Sequence, residues 1–269
     1  MALHDCVAIP VGEVAMSPNT LVVLESEAAH PQGRTARPTR GGPDPTGPLA
    51  DIPPLDVAAA CWPASGGTGS GGDWFDVVPV TATTTAVVVG NVVGRRPHAA
   101  SRMMRVRGVL KSLLSSDPGT LFTRAYELLP GPRDLCVGTA AVFLLNAEAH
   151  TLTYVRAGHP PGLLRTPGGE LVLLSGGLTA ALGLAAGTLT PACVPFDVGS
   201  TLIAYTDGLV EPRGRTLDEG VAALAAECRA LPSDPQQSAA ALVRQLLIVA
   251  PTGNAWRNDD VTVVAVRRS

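Results

Sequence analysis

Aspartates stand where apolar, strand-like runs begin or end. Asp73 and Asp76 follow the glycine-rich stretch Gly66-Gly67-Thr68-Gly69-Ser70-Gly71-Gly72 and flank the start of the run Trp74–Val80. Asp207 closes the apolar run Thr201–Thr206 and is followed by Gly208, and Asp259 and Asp260 directly precede the alternating run Val261–Val266. A buried strand does not normally finish in adjacent carboxylates unless they cap or bind something. Oxygen-only ligands drawn from separate strand ends suit a hard cation, Mg2+ or Mn2+. Mg2+ keeps several of its waters, so few carboxylates suffice. Singly, each aspartate has a plainer reading, since Asp-Gly is a common turn; only the joint pattern points to a metal. The glycine stretch invites a phosphate-binding reading. It precedes a strand instead of joining strand to helix, however, and lacks a Gly-Lys-Ser/Thr ending, so it reads as a loop feeding a strand.

The elements that must position these residues follow from periodicity. Leu55–Trp62 is a first strand; Trp74–Val80 and Thr85–Val93 form a hairpin about the polar Thr81–Thr84. Met103, Val106, Leu110, Leu113 and Leu114 recur at helical spacing within Ala99–Leu114, with Arg102, Arg105 and Lys111 on solvated faces. Thr120–Leu129 is a second helix. Strands return at Gly138–Leu145, Leu152–Arg156, Gly162–Arg165, Glu170–Leu174 and Thr201–Thr206. Two helices, Leu217–Leu231 and Pro235–Val249, the latter with Ser233 as N-cap, lead to the closing strand. Hairpins outnumber parallel crossovers. The expected class is therefore α+β: antiparallel sheets with helices packed on their outer faces.

Composition bounds what such a fold can do. The chain has 269 residues, of which 46% are hydrophobic and only 4% aromatic, so Ala, Val and Leu must fill the core. A net charge of −3 offers no basic excess for nucleic acid or an anionic membrane. Cys6, Cys61, Cys136, Cys193 and Cys228 are widely spaced and form no CxxC pair, which reads as free thiols in a reducing compartment. No stretch approaches the roughly 18 apolar residues of a membrane helix, and the N-terminus has no signal-peptide pattern, so a soluble, cytoplasmic protein is expected. Residues 1–48 read as a variable segment. It holds strand-like Val7–Val14 and Leu21–Leu24 and a flexible Pro/Gly-rich linker over Pro31–Pro48. Residues 49–269 read as one domain.

Five segments in register resemble the bacterial metal-dependent protein phosphatases of the PPM (PP2C-like) superfamily. They are Gly71-Gly72-Asp73-Trp74-Phe75-Asp76; Val89-Gly90-Asn91-Val92-Val93-Gly94; Ala157-Gly158-His159-Pro160-Pro161; Tyr205-Thr206-Asp207-Gly208-Leu209-Val210-Glu211; and Asp259-Asp260-Val261. The branch most similar is the sporulation and stress-response group, which acts on anti-anti-sigma factors. The resemblance covers about residues 50–269. It implies two stacked antiparallel sheets with a helical layer outside each. It implies hydrolysis of phosphoserine or phosphothreonine by water at a two-metal Mn2+ or Mg2+ centre, without a covalent enzyme intermediate. Asp73, Asp207 and Asp259 match catalytic metal ligands, as does the backbone carbonyl of Val92, with Asp260 a neighbouring candidate. Asp76, Gly94, Arg95, Arg96, His159 and Gly208 are placed behind the ligands or on the substrate side. The partner implied is a phosphorylated, anti-anti-sigma-like regulatory protein, with no nucleic acid and no membrane.

One departure bears on activity. The family motif Gly-Asp-Val-x-Gly-His-Gly carries an Asp that bridges both metals; here that position is Asn91, and Arg95-Arg96 follow Gly94. An amide offers one neutral oxygen, so bridging is the role it performs worst. The two-metal centre is expected to be weakened or reduced to one ion. Arg95 and Arg96 would repel metal or bind phosphate directly. His159 is either a general acid for the leaving oxygen or a residue that holds its loop. Two functions follow: a weakened phosphatase, or an inactive pseudophosphatase that binds its partner as a regulatory module.

Overall fold

Strand β4, Thr84–Val92, is buried along almost its whole length, with only Asn91 partly open to solvent. A near-continuous run of small apolar and β-branched residues belongs to a strand covered on both faces. This one lies inside a five-stranded ladder. The computed structural model describes residues 22–25, 55–62, 72–94, 98–115, 117–129, 137–184, 189–211, 216–232, 237–249 and 259–269. In chain order its elements are β1 Val22–Glu25, β2 Leu55–Trp62, β3 Asp73–Pro79, β4, α1 His98–Ser112, α2 Pro118–Leu128, β5 Gly138–Asn146, β6 Thr151–Ala157, β7 Gly162–Arg165, β8 Leu171–Leu174, β9 Leu178–Thr179, β10 Ala192–Pro195, β11 Thr201–Tyr205, α3 Leu217–Ala230, α4 Ala239–Val249 and β12 Val261–Arg268.

Two sheets result. The first has the order β1-β2-β12-β11-β7-β8; the second runs β10-β6-β5-β4-β3, with β9 added alongside β6. Pairing is antiparallel throughout except for β1 on β2 and β9 on β6. The sheets face each other across Val57, Val87, Val89, Phe143, Leu152, Leu164, Leu202 and Val264. Outside the first sheet, Val221 and Leu224 of α3 and Leu242, Val243 and Leu246 of α4 pack against Ala58, Ala60, Val263 and Ala265. Outside the second, Met103, Val106 and Leu110 of α1 and Leu121 and Phe122 of α2 cover Val88, Val142 and Leu144. The α+β sandwich with outer helical layers is thus borne out. Strand period explains the sorting: Ala58 and Ala60 face the helices, while Ala59 faces the other sheet.

Some local expectations change. Helix α4 spans Ala239–Val249, with Pro235 outside the described residues; its Ala239 N–H donates to Asp56 Oδ2 at 2.7 Å and its Ala241 N–H to Ser238 Oγ at 3.2 Å. Ser233 lies outside the described residues, as do Val7–Val14, the Pro31–Pro48 linker, Cys6 and Cys136. Strand β1 comes from the variable segment and extends the first sheet. Among the described residues, Cys61, Cys193 and Cys228 are not joined in disulfides. No described helix is long and apolar enough to cross a membrane.

Candidate metal centre

Register places the first contributors. Asp73, the first residue of β3, pairs with Asn91 near the end of β4, and Asn91 pairs in turn with Thr139 of β5. From the opposite sheet, β11 runs through Tyr205 into Thr206 and Asp207 beside the start of β12. There Thr206 N–H donates to the Thr262 carbonyl at 3.0 Å. At this rim three hydrogen bonds cross between the sheets. Thr206 Oγ1 donates to Asp73 Oδ2 at 2.6 Å, Asn91 Nδ2 to Asp207 Oδ1 at 3.0 Å, and Gly72 N to Asp260 Oδ2 at 3.2 Å.

Close backbone approach makes the rim possible. A Cβ on Gly72 would stand 2.2 Å from the Val92 carbonyl oxygen, and one on Gly208 would stand 2.0 Å from that of Asp260. The Val92 N–H returns a bond to Gly72 O at 3.0 Å. Gly208 N–H donates to Asp207 Oδ1 at 3.1 Å, so that oxygen already accepts from both the Asn91 amide and the backbone.

Among the described residues, carboxylates outnumber cations at the rim. Burial pushes the Asp73 carboxyl well above the ordinary carboxylate range, against the Thr206 hydrogen bond; Asp207, Asp260 and Asp259 add to the rise. Asp73 Oδ1 is buried without a hydrogen-bond partner among the described residues. Asp259 lies exposed at the edge, yet partial desolvation and then Asp207 lift it to about 6. A cation relieves each of these penalties, and a set of carboxylate oxygens matches a hard ion in kind. Among the described residues, however, no three His, Cys, Asp or Glu side chains gather as a metal cage.

The other candidates are placed as follows. Asp76 is corrected: three residues from Asp73, it faces the helices. There it is buried against Arg107, which donates from Nε and Nη2 at 2.8 Å each, with Lys111 at 3.5 Å. It anchors α1 and does not line the rim. His159 is buried with both ring nitrogens engaged, Nδ1 with Thr139 Oγ1 at 2.9 Å and Nε2 with the Tyr205 carbonyl at 3.0 Å. Desolvation holds it neutral, lowering it to about 4, and Arg156 adds to this, while the Tyr205 carbonyl opposes it. Arg156 in turn donates to His159 O at 2.7 Å. Of the final pair, Asp260 reaches across to Gly72 while Asp259 accepts from Asp260 N at 2.9 Å. Gly94 is exposed next to Arg102. Arg95 and Arg96 lie outside the described residues.

Residues 81–269 match the family described as Stage II sporulation protein E (SpoIIE). The chain belongs to the SpoIIE family. The resemblance to the sporulation and stress-response branch of PP2C-like phosphatases is thereby borne out. The RsbU and RsbW domains of Rv1364c from Mycobacterium tuberculosis share 28% identity and a TM-score of 0.69, over 81% of this chain and 62% of that one. The phosphatase domain of SpoIIE from Bacillus subtilis, with a fragment of its regulatory domain, has the same fold at 19% identity. Its TM-score is 0.66, covering 81% of this chain and 64% of that one. So does RsbX, solved in complex with magnesium, at 18% identity and TM-score 0.63, over 80% of this chain and 96% of that one. This chain thus spans less than two thirds of the first two. Sequence reasoning singles out Asp73, Asn91, Asp207 and Asp260 at this rim but not Thr206, Thr139 or Arg156, which bond to Asp73 or to His159.

Proposed function

We propose that the chain is a cytoplasmic, metal-dependent hydrolase of phosphoserine or phosphothreonine on an anti-anti-sigma-like regulatory protein, slowed by Asn91. The observation that carries this reading is the meeting of Asp73, Asp207 and Asp260 from two sheets at one rim, with Asp73 Oδ1 buried and unpartnered. Asp73, Asp207 and Asp259 would hold Mn2+ or Mg2+ there, with Asp260 and the Val92 carbonyl beside them. When bound, such an ion supplies the charge that attracts a phosphate and lowers the pKa of water.

The chain's own groups do the rest. Asp73, Asp207, Asp259 and Asp260, left uncompensated, repel a phosphate dianion. Asn91 adds a neutral amide where the family has a carboxylate, and its NH2 is directed at Asp207. His159 has neither ring nitrogen to spare, so it holds Thr139 and the end of β11 in place and leaves protonation of the departing oxygen to solvent. In this reading residues 49–269 form the phosphatase domain.

A second reading, a pseudophosphatase that binds the same partner without turnover, is favoured by the Asn91–Asp207 contact. There an amide hydrogen faces the carboxylate across the bridging position. One assay separates them: Mn2+-dependent hydrolysis of an aryl phosphate and of a phosphoprotein by wild type and Asn91→Asp. A slow wild type and a variant faster by at least about tenfold support the phosphatase. No turnover in either supports the binding module. Equal rates above background reject the role given to Asn91.

A further inference from the structure

Thr206 sits between the end of β11 and Asp207 and is fully buried. Its hydroxyl has one donor and three neighbours. Thr262 N–H donates to Thr206 Oγ1 at 2.9 Å, which occupies an acceptor site. The hydroxyl hydrogen then has two acceptors in reach, Asp73 Oδ2 at 2.6 Å and the Thr262 carbonyl at 3.5 Å. The short, charge-assisted bond prevails. Thr206 itself is fully buried, and the branched Cβ of threonine restricts rotation. The Thr206 main chain is held as well, by its N–H bond to the Thr262 carbonyl at 3.0 Å. The consequence falls on Asp73. Its Oδ2 is engaged, and its Oδ1 is left buried with no hydrogen-bond partner among the described residues.

We propose that Thr206 is the positioning residue of the centre: its hydroxyl links the β12 backbone in one sheet to Asp73 in the other and turns Asp73 Oδ1 toward the cation. This rests on the cation reading given above. Thr206 touches neither substrate nor ion; it acts through Asp73 alone.

The test is calorimetric titration of the full chain with MnCl2, with thermal melting recorded alongside. Thr206→Val keeps the shape and loses the donor; Thr206→Ser keeps the donor and loses the methyl. The expected result is Mn2+ binding weaker by on the order of tenfold or more in Thr206→Val, as for loss of a hydrogen bond to a charged group. Thr206→Ser should remain within about threefold of wild type, since the charge-assisted bond is kept. A lower melting temperature in Thr206→Val with unchanged Mn2+ affinity would show a merely structural residue and overturn the proposal, as would a serine variant as weak as the valine one. Should Thr206→Val fail to fold, Thr206→Cys takes its place. Its thiol is a weak donor, so it must bind Mn2+ less tightly than wild type, and equal affinity overturns the proposal. A wild type that takes up no Mn2+ defeats the cation reading and this inference with it; a wild type that binds while the valine variant binds equally defeats only the inference.

Discussion

The side-chain amide of Asn91 donates to Asp207 Oδ1 at 3.0 Å, joining the second sheet to the first where the family places a bridging carboxylate. A carboxylate there could not donate. It would repel Asp207 until a cation lay between them. The amide therefore closes by itself a gap that a carboxylate closes with metal. Calorimetry with Mn2+ is expected to find fewer or looser sites in wild type than in Asn91→Asp. The metal-free variant should also melt lower than metal-free wild type, because the hydrogen bond has become a repulsion. Two tight sites in wild type would contradict this account.

Asp76 and Arg107 form a paired contact that fastens α1 to β3. Removing the Arg107 cation leaves a carboxylate that is only 7% exposed with the more distant Lys111, at 3.5 Å, as its remaining cation. Breaking a buried pair from one side costs several kcal/mol, but the Arg107 side chain is 40% exposed and water moderates the loss. Arg107→Ala is expected to lower the unfolding free energy by about 2 kcal/mol in urea titration. Arg105→Ala, on the exposed face of the same helix, should change it by no more than about 0.5 kcal/mol. Equal effects would remove the anchoring role.

His159 links stability to pH. Its folded-state value lies at about 4, below the ordinary 6.5, with burial the main cause. Between those values the unfolded chain binds a proton that the folded chain refuses. The contribution is therefore complete above about 6.5 and is lost as pH falls toward about 4. Urea unfolding across that range should show a decline to which His159 contributes on the order of 3 kcal/mol. His159→Asn, less stable at neutral pH, should show a correspondingly flatter curve; parallel curves would show that the imidazole is not the group responsible.

Two glycines should respond oppositely to the same substitution. Gly208→Ala drives a methyl group to 2.0 Å from the Asp260 carbonyl oxygen, so the two rim loops must part. A loss above about 2 kcal/mol is expected. Gly108, within α1, has nothing within 4 Å of its added Cβ. Gly108→Ala should stabilise by about 0.5–1 kcal/mol, because alanine loses less backbone entropy in a helix. Thermal melting of the two variants reads both signs.

Most of the architecture was legible because apolar runs and turn residues mark strand limits directly: β2, β7 and α1 to α3 fall within two residues of their expected bounds, or nearly so. The strand-end aspartates were legible for the same reason, and their order along the chain carried the family. Asp76 could have been sorted too. Alternation puts residues three apart on opposite faces of a strand, and that signal was overridden by its nearness to Asp73. Other features left no local trace. Strands β9 and β10 are short and lie at or near a sheet edge, and although β1 is legible as strand-like Leu21–Leu24, its parallel pairing with β2 is not. The choice between Asp259 and Asp260, and the part played by Thr206, depend on groups more than a hundred residues away in sequence.

The three bonds across the rim join residues 116, 133 and 188 positions apart. None can form while either layer is missing. During synthesis, a nascent chain whose β12 has not yet left the ribosome holds Asp73 and Asn91 but lacks Asp260 and the strand that braces Thr206. Such an intermediate is without the assembled carboxylate rim, however native its second sheet. The carboxylate rim is thus among the last parts of the fold to come into being, and it waits on the C-terminal strand however early the rest is made.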